Sequence, residues 1–474
     1  MRRFLSVFCL MSVALTRPAE AQNKATVRLI TLDPGHFHAA LVQKSTLPGV
    51  SPEVRVYAPA GPDVQLHLGR IESYNKRSDS PTRWQETVYT GPDFLEKMLA
   101  DSRATAPEGK AGNVVVLAGN NAKKTEYIRK AIGAGMNVLA DKPMAINSRQ
   151  FGELKDAFAE AARRKVLLYD IMTERFEITT MLQREFSRLP AVFGTLERGT
   201  PDNPAVTKES VHHFYKYVSG SVLQRPAWFM DVAQQGEGIV DVTTHLVDLV
   251  QWECFPNQVI DYNKDIRLTS ARRWTTPMTR SQFRTITNQP DFPDYLKKDV
   301  TADSVLNVYA NGEINYELRG VHAKVSVIWA FKAPEGAGDT HYSIMRGTKA
   351  NLVIRQGAEQ QYKPTLYIEP LAAGGAAYEQ ALATALKSVQ RQFPGVDLKK
   401  LDKGWEVIIP EKYKEGHEAH FGRVAENYFT YLKAGKLPAW EVPNMLAKYY
   451  TTTKALELAK QSSGVAGKSS KSKP

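Results

Sequence analysis

Lys142 lies in Ala140-Asp141-Lys142-Pro143, and Asp241 and His245 lie in Gly236-Glu237-Gly238-Ile239-Val240-Asp241-Val242-Thr243-Thr244-His245. An ammonium, a carboxylate and an imidazole are the groups a site needs to move a proton while a hydride leaves the same substrate. Asp241 and His245 are four residues apart, so on one helix they share a face and can touch. Gly236 and Gly238 let the backbone turn sharply before such a helix. The bland alternative is a capped helix with one buried histidine. The elements around these residues decide between the two.

From 25 to 172 short β-branched runs alternate with helical stretches. Val27 to Leu32 reads as a first strand, Val54 to Tyr57 as a second, and Asn113 to Ala118 as a strand buried on both faces. Thr125 to Gly135 reads as a helix leading to the strand Asn137 to Ala140, and Ser148 to Arg164 as an amphipathic helix before Val166 to Tyr169. This alternation predicts a doubly wound, Rossmann-like parallel sheet. From 173 to 460 the stretches Ala191–Gly199, Ser304–Tyr309, Glu313–Leu318, Ala323–Lys332, His341–Arg346 and Asn351–Ile354 read as strands. Asn311-Gly312 and Gly336-Ala337-Gly338-Asp339 read as turns between them, which predicts an α+β domain with a large, mostly antiparallel open-faced sheet. The fold class expected is therefore α/β followed by α+β.

Ligands of a parallel sheet bind beyond the carboxyl ends of its strands. Three segments fall there. Asp33-Pro34-Gly35-His36-Phe37-His38 follows strand one, where a dinucleotide turn would carry G-x-G-x-x-G to let backbone N–H groups approach a pyrophosphate. Only Gly35 remains of that fingerprint. The histidines could help neutralise phosphate or pack beside the turn. No metal is expected, because His36 and His38 have no apparent third ligand. Strand two ends in Ala58-Pro59 rather than an acid for a ribose, with Asp63 shortly after. Gly119-Asn120-Asn121 could bond ribose hydroxyls or cap the next helix. Asp141-Lys142-Pro143 closes the third strand end, with Pro143 favouring an extended Lys142 aimed into the crevice.

Taken in order, the Asp-Pro-Gly turn, Leu-Ala-Gly-Asn-Asn, Ala-Asp-Lys-Pro-Met-Ala and Gly-Glu-Gly-x-x-Asp-x-x-Thr-His-x-x-Asp resemble the glucose–fructose oxidoreductase/inositol dehydrogenase/rhizopine catabolism (Gfo/Idh/MocA) family. The stretch Ser343 to Leu352 is similar to its Gly-Thr-Lys-Gly strand pair, with Ala350 for the second glycine. The branch resembled is a secreted group with its own C-terminal domain. The resemblance implies NAD or NADP, tightly retained. It implies that Lys142 touches nicotinamide ribose and substrate hydroxyl, that Asp241 orients the substrate and that His245 accepts the proton. Asp33, Gly35, His36, Phe37, His38, Gly119, Asn120, Asn121, Asp141 and Lys142 would then border the cofactor. Arg175, in Thr173-Glu174-Arg175-Phe176, matches the family's Arg-Phe element near the active site. Arg175, His212, Trp228 and Thr244 are the substrate candidates, although Trp228 could equally pack in the core. Asp248 could orient the His245 ring or face solvent.

At 474 residues the chain needs more than one domain, and 43% hydrophobic with 24% charged residues is ordinary for a globular protein. The net charge of +12 owes much to its two ends, and no recognisable nucleic-acid motif accompanies it, so no nucleic-acid partner is expected. Arg2-Arg3, the apolar run Phe4–Leu15 and Ala19-Glu20-Ala21 read as a signal peptide, 1–21. Export, most simply to a periplasm, is the expectation, with no membrane anchor after cleavage. The mature chain then keeps one cysteine, Cys254, and no internal disulfide. Residues 461–474 read as a flexible basic tail.

These readings combine into a secreted NAD(P)-dependent oxidoreductase acting on a sugar or glycoside hydroxyl, a homo-oligomer through its C-terminal sheet. Nicotinamide is scarce outside the cytoplasm, so a cofactor recycled within each turnover is expected. The alternatives are glycoside cleavage by oxidation and elimination, and a non-catalytic carbohydrate-binding relative.

Overall fold

The computed structural model describes residues 27–104, 112–218, 221–372 and 375–469. The expected signal peptide and the end of the expected tail lie outside the described residues. Strands β1 (Val27–Leu32), β2 (Glu53–Tyr57), β3 (Gln85–Tyr89), β4 (Gly112–Leu117), β5 (Asn137–Asp141) and β6 (Leu168–Ile171) form a parallel sheet in the order β3-β2-β1-β4-β5-β6. The connections carry α1 (His38–Leu41), α2 (Pro62–Lys76), α3 (Phe94–Ala104), α4 (Asn121–Gly133) and α5 (Ser148–Arg164). The strand order reverses between β1 and β4, which opens the crevice that doubly wound sheets use for ligands. Asn120 caps α4 by accepting from the Ala122 N–H at 3.1 Å, and Asn147 caps α5 through the Gln150 N–H at 3.0 Å.

After α6 (Ile178–Ser187), the second layer is built from β7 (Val206–Tyr215), a small hairpin of β8 (Tyr217–Val218) and β9 (Ser221–Val222), then β10 (Ile266–Thr279), β11 (Val305–Leu318), β12 (Val321–Lys332), β13 (Thr340–Arg346), β14 (Ala350–Arg355), β15 (Thr365–Pro370), β16 (Asp397–Leu401) and β17 (Gly404–Ile408). Nine of these make one sheet, β10-β11-β12-β7-β13-β14-β15-β17-β16, in which only β12 and β7 pair parallel. Its helices are α7 (Val232–Gln235), α8 (Thr243–Cys254), α9 (Arg280–Thr287), α10 (Ala376–Gln390), α11 (His417–Ala434) and α12 (Glu441–Ser469).

Four details differ from the sequence reading. Asn311-Gly312 is no turn: β11 runs straight through it, because Gly312 leaves the room that Ile239 occupies. The stretch 191–199 is turns and loop with two isolated bridges, Leu196 to Gly347 and Gly199 to Pro204. α12 continues as far as Ser469, into the segment read as a tail. The boundary near 172 also separates the sheets but not the cores: Phe421, Val424 and Tyr428 of α11 and Tyr449 of α12 belong to the core beneath the parallel sheet. A fully buried side chain of this size contributes about 1.5–3 kcal/mol. The returning helices therefore lock the two layers together.

A buried ionic cluster finishes that lock. Arg175 donates to Asp248 at 2.6 and 2.7 Å and to Glu441 at 3.0 Å. Lys448, fully buried, reaches Asp248 and Asp170 at 2.8 Å each, and the Tyr449 hydroxyl donates to Asp170 at 2.9 Å. Burial opposes ionisation of Asp248, yet Arg175 and Lys448 hold its carboxyl well below the usual range. Arg175 is thus a bolt between β6, α8 and α12, and the substrate role expected for it is corrected. Asp248 neither orients His245 nor faces solvent.

Candidate active site

A cleft at the carboxyl ends of β1, β4 and β5 is closed from above by the second layer. Lys142, Asp241 and His245 all line it. Lys142 sits just past β5, before a cis peptide bond to Pro143, and its Nζ donates to Asp241 Oδ1 at 2.6 Å. Gln235 Nε2 donates to the other Asp241 oxygen at 3.2 Å. Both carboxylate oxygens are therefore fixed.

Asp241 does not pair with His245 as the four-residue spacing predicts. It ends a 3-10 turn, Gly238–Val240, and α8 begins only at Thr243. That turn exists because Gly238 lies against the Ala310 carbonyl, where any Cβ would overlap. The carboxylate consequently swings to Lys142. His245, in the first turn of α8, is buried with its Nδ1 unpartnered. Burial, then Lys142, lower its pKa to about 4, so the imidazole is neutral at pH 7 and able to accept a proton. Thr244 is not in the cleft: it is fully buried, and its hydroxyl donates to the Val240 carbonyl at 3.0 Å. Its expected substrate role is corrected.

His212 does reach the cleft, from β7, but both ring nitrogens are engaged, Nε2 with the Ser210 hydroxyl at 2.6 Å and Nδ1 with Asp339 at 3.1 Å. Asp339 also receives His213 and Lys216, at 3.1 and 2.8 Å. Burial disfavours its charge, but these partners keep it strongly ionised. Sequence reasoning saw only a turn in Gly336-Ala337-Gly338-Asp339. It also missed Glu174 and His417, which pair at 3.3 Å on the cleft wall, and the cations Lys216 and Arg225. Glu174 was in view as the neighbour of Arg175, but His417 is brought in from α11 by the helix return, which leaves no local signal.

The glycine turn is rebuilt. Asp33 keeps the left-handed backbone of a first-glycine position, φ 47°, and accepts from the Tyr127 hydroxyl at 2.8 Å. The His36 N–H donates to the Ala118 carbonyl at 3.0 Å. A Cβ on Gly35 would lie 2.8 Å from the Trp228 ring, whose Nε1 donates to Asp63 at 2.9 Å. Burial, with Asp33 nearby, raises the Asp63 pKa. An indole and the Asp63 carboxyl thus stand against Gly35, where a dinucleotide turn presents N–H groups to a pyrophosphate. As folded here, the turn does not fit that group. Trp228 is not a sugar platform in the cleft; it packs on the turn, and its substrate role is corrected.

Of the other expected cofactor residues, His36, Phe37, His38, Gly119, Asn121, Asp141 and Lys142 line the cleft. Asn120 is spent on its cap and on Gln234, at 2.8 Å, and Asn121 on the Gln235 carbonyl and Lys124. His38 and Asp141 bond to each other at 2.9 Å, with His36 at 3.8 Å from the same carboxylate oxygen. The fold thus brings beside His36 and His38 a carboxylate, Asp141, that the sequence did not place there.

Residues 182–460 match the family described as putative oxidoreductase C terminal domain, and residues 80–169 match the oxidoreductase family with an NAD-binding Rossmann fold. The second match begins beyond β1, β2 and the Gly35 turn. A putative oxidoreductase from Parabacteroides merdae ATCC 43184 is 58% identical over 93% of this chain and 98% of that one, with a TM-score of 0.88. A levoglucosan dehydrogenase in complex with NADH and levoglucosan has TM-score 0.57 at 12% identity, over 92% of this chain and 97% of that one. GenD2 from gentamicin A biosynthesis, in complex with NAD, has TM-score 0.51 at 16% identity, over 94% and 97%. The last two show a shared fold. No curated protein matches the chain.

Proposed function

The chain belongs to the Gfo/Idh/MocA oxidoreductases that carry the putative oxidoreductase C-terminal domain, and we propose that its cleft handles the proton at a hydroxyl-bearing carbon of a small carbohydrate. One observation carries this reading: the bonded Lys142–Asp241 pair and the neutral, unpartnered His245 line the same cleft. The His245 imidazole accepts the hydroxyl proton, Lys142 stabilises the developing alkoxide, and Asp241, pinned by Gln235, holds a neighbouring hydroxyl. The half-buried polar wall of His212, Glu174 and Lys216 suits a polyhydroxylated ligand.

NAD or NADP supplies a hydride acceptor when bound in this family. Trp228 on Gly35 bars the pyrophosphate in the present arrangement, so the NAD(P)-dependent reading requires the 226–230 segment to leave the turn. The same closure favours a second reading, in which the cleft abstracts a proton beside a carbonyl of an already oxidised sugar, opening elimination or epimerisation without an exchangeable dinucleotide. A tightly retained cofactor and the first reading predict NAD(P) released on denaturing the purified protein, and reduction at the nicotinamide on adding sugars. The second predicts no release, no dinucleotide binding by the wild type, and exchange of solvent deuterium into a keto-sugar.

We also carry forward export, because of the leader's composition, and self-association through the nine-stranded sheet; cell fractionation and light scattering test them. Among the described residues no helix is long and apolar enough to cross a membrane.

A further inference from the structure

We propose that His36, His38 and Asp141 form a three-donor site for a divalent transition-metal ion of zinc-like chemistry, open on its fourth side to the cleft. The two imidazoles come from the turn after β1 and the carboxylate from the end of β5, two strands away. Their donor atoms all lie within 4.8 Å of one another. Asp141 Oδ2 is 2.9 Å from His38 Nδ1 and 3.8 Å from His36 Nδ1. Tetrahedral zinc with bonds of about 2.0–2.1 Å sets its donors roughly 3.3 Å apart, between those two separations.

Two further observations point to an ion rather than a packed histidine pair. His36 Nδ1 is buried without a hydrogen-bond partner, a deficit that costs on the order of 1–3 kcal/mol and that a metal bond would remove. Burial also keeps both imidazoles neutral, the form that ligates. The surroundings fix the donors. The His36 and His38 rings meet edge to face at 4.0 Å, His38 packs on Phe421 at 4.5 Å, and Lys124 donates to the Asp141 carbonyl at 2.9 Å. Three protein donors beside a cleft are the pattern of catalytic rather than structural zinc, where the fourth position takes water or a substrate oxygen. Such an ion would polarise a carbonyl or hydroxyl oxygen of the ligand, with no change of its own oxidation state.

This inference goes beyond the proposed function and is read without substrate. The full-length protein is stripped with a chelator and titrated with Co(II) alone, followed by its visible ligand-field absorption, and with Zn(II) in competition. One saturable equivalent is expected, displaced by Zn(II). His36→Gln and His38→Gln should each weaken binding by on the order of a hundredfold or more. His36→Gln is the safer variant, because its Nδ1 has no hydrogen bond to lose; circular dichroism checks that both fold. His212→Gln, outside the trio, should bind as the wild type does. Absence of saturable Co(II) and Zn(II) uptake by the wild type would overturn the site, as would uptake unchanged in both trio variants. Neither result bears on whether His245 takes a proton.

Discussion

The two ends of the crevice have been treated differently. Around β5 and α8, Lys142, Asp241 and His245 stand in a cleft with the pairing and protonation that proton transfer needs. Around the turn after β1, the parts that would hold a pyrophosphate are gone: Asp33 and His38 stand at first- and third-glycine positions, and Trp228 covers Gly35. The contrast teaches that one Rossmann-like sheet can alter one stretch of its carboxyl edge while keeping a polar, paired cluster at another. On the proposed function, the strand ends near the second domain would carry the acid–base chemistry, while the first turn would bear on whether a dinucleotide can lie down.

Breaking the β5 end should have the largest effect. Lys142→Met removes the alkoxide partner and frees Asp241, and turnover should fall on the order of 10²–10⁴-fold in steady-state assays. Next comes the bolt that holds both ends in register. Arg175→Met leaves buried Glu441 without its ion-pair partner and Asp248 with Lys448 alone, and should cost about 3–5 kcal/mol in denaturant unfolding. Unaltered stability with lost turnover would instead restore Arg175 to the cleft.

Acid should separate the buried histidines from the surface. His245, lowered to about 4, and His67, lowered to about 3 by burial, bind protons more readily in the unfolded chain. Their contribution is complete above pH 6.5 and is lost as pH falls toward 4 and then 3. For His245 alone the shift corresponds to roughly 3 kcal/mol. Thermal melts between pH 7 and 4 should show the fall, and a flat profile would remove burial as its cause. The smallest effect sharpens the cofactor end. Trp228→Ala uncovers Gly35, and NAD(H) affinity by fluorescence titration should rise by about tenfold, or 1.4 kcal/mol. No gain would mean that Asp33 and Asp63, rather than the indole, bar the pyrophosphate.

Much of the parallel layer was legible because its strands are local apolar runs with caps: Asn113–Ala118 and the Asn120 cap needed no tertiary information. β7 was not, since its inward positions include Lys208 and Ser210; Lys208 is buried only because Glu253 meets it at 2.8 Å. In the site, Lys142, Asp241 and His245 were legible from type and order. The Asp241–His245 contact was not, because the 3-10 turn at Gly238 displaces the helix start. Asp141 as the third donor, His417 and the Trp228 cover all arise from chain segments more than a hundred residues from their partners, which spacing cannot reveal.

The central claim is that the β5 end performs proton chemistry on a carbohydrate. Wild type and His245→Asn are to be compared on one panel of sugars, sugar acids and keto-sugars, with turnover and sugar affinity measured on each. The account predicts wild-type turnover on some member of the panel, and in His245→Asn a loss on the order of 10²–10⁴-fold with sugar affinity kept. Equal turnover in the two proteins would contradict it.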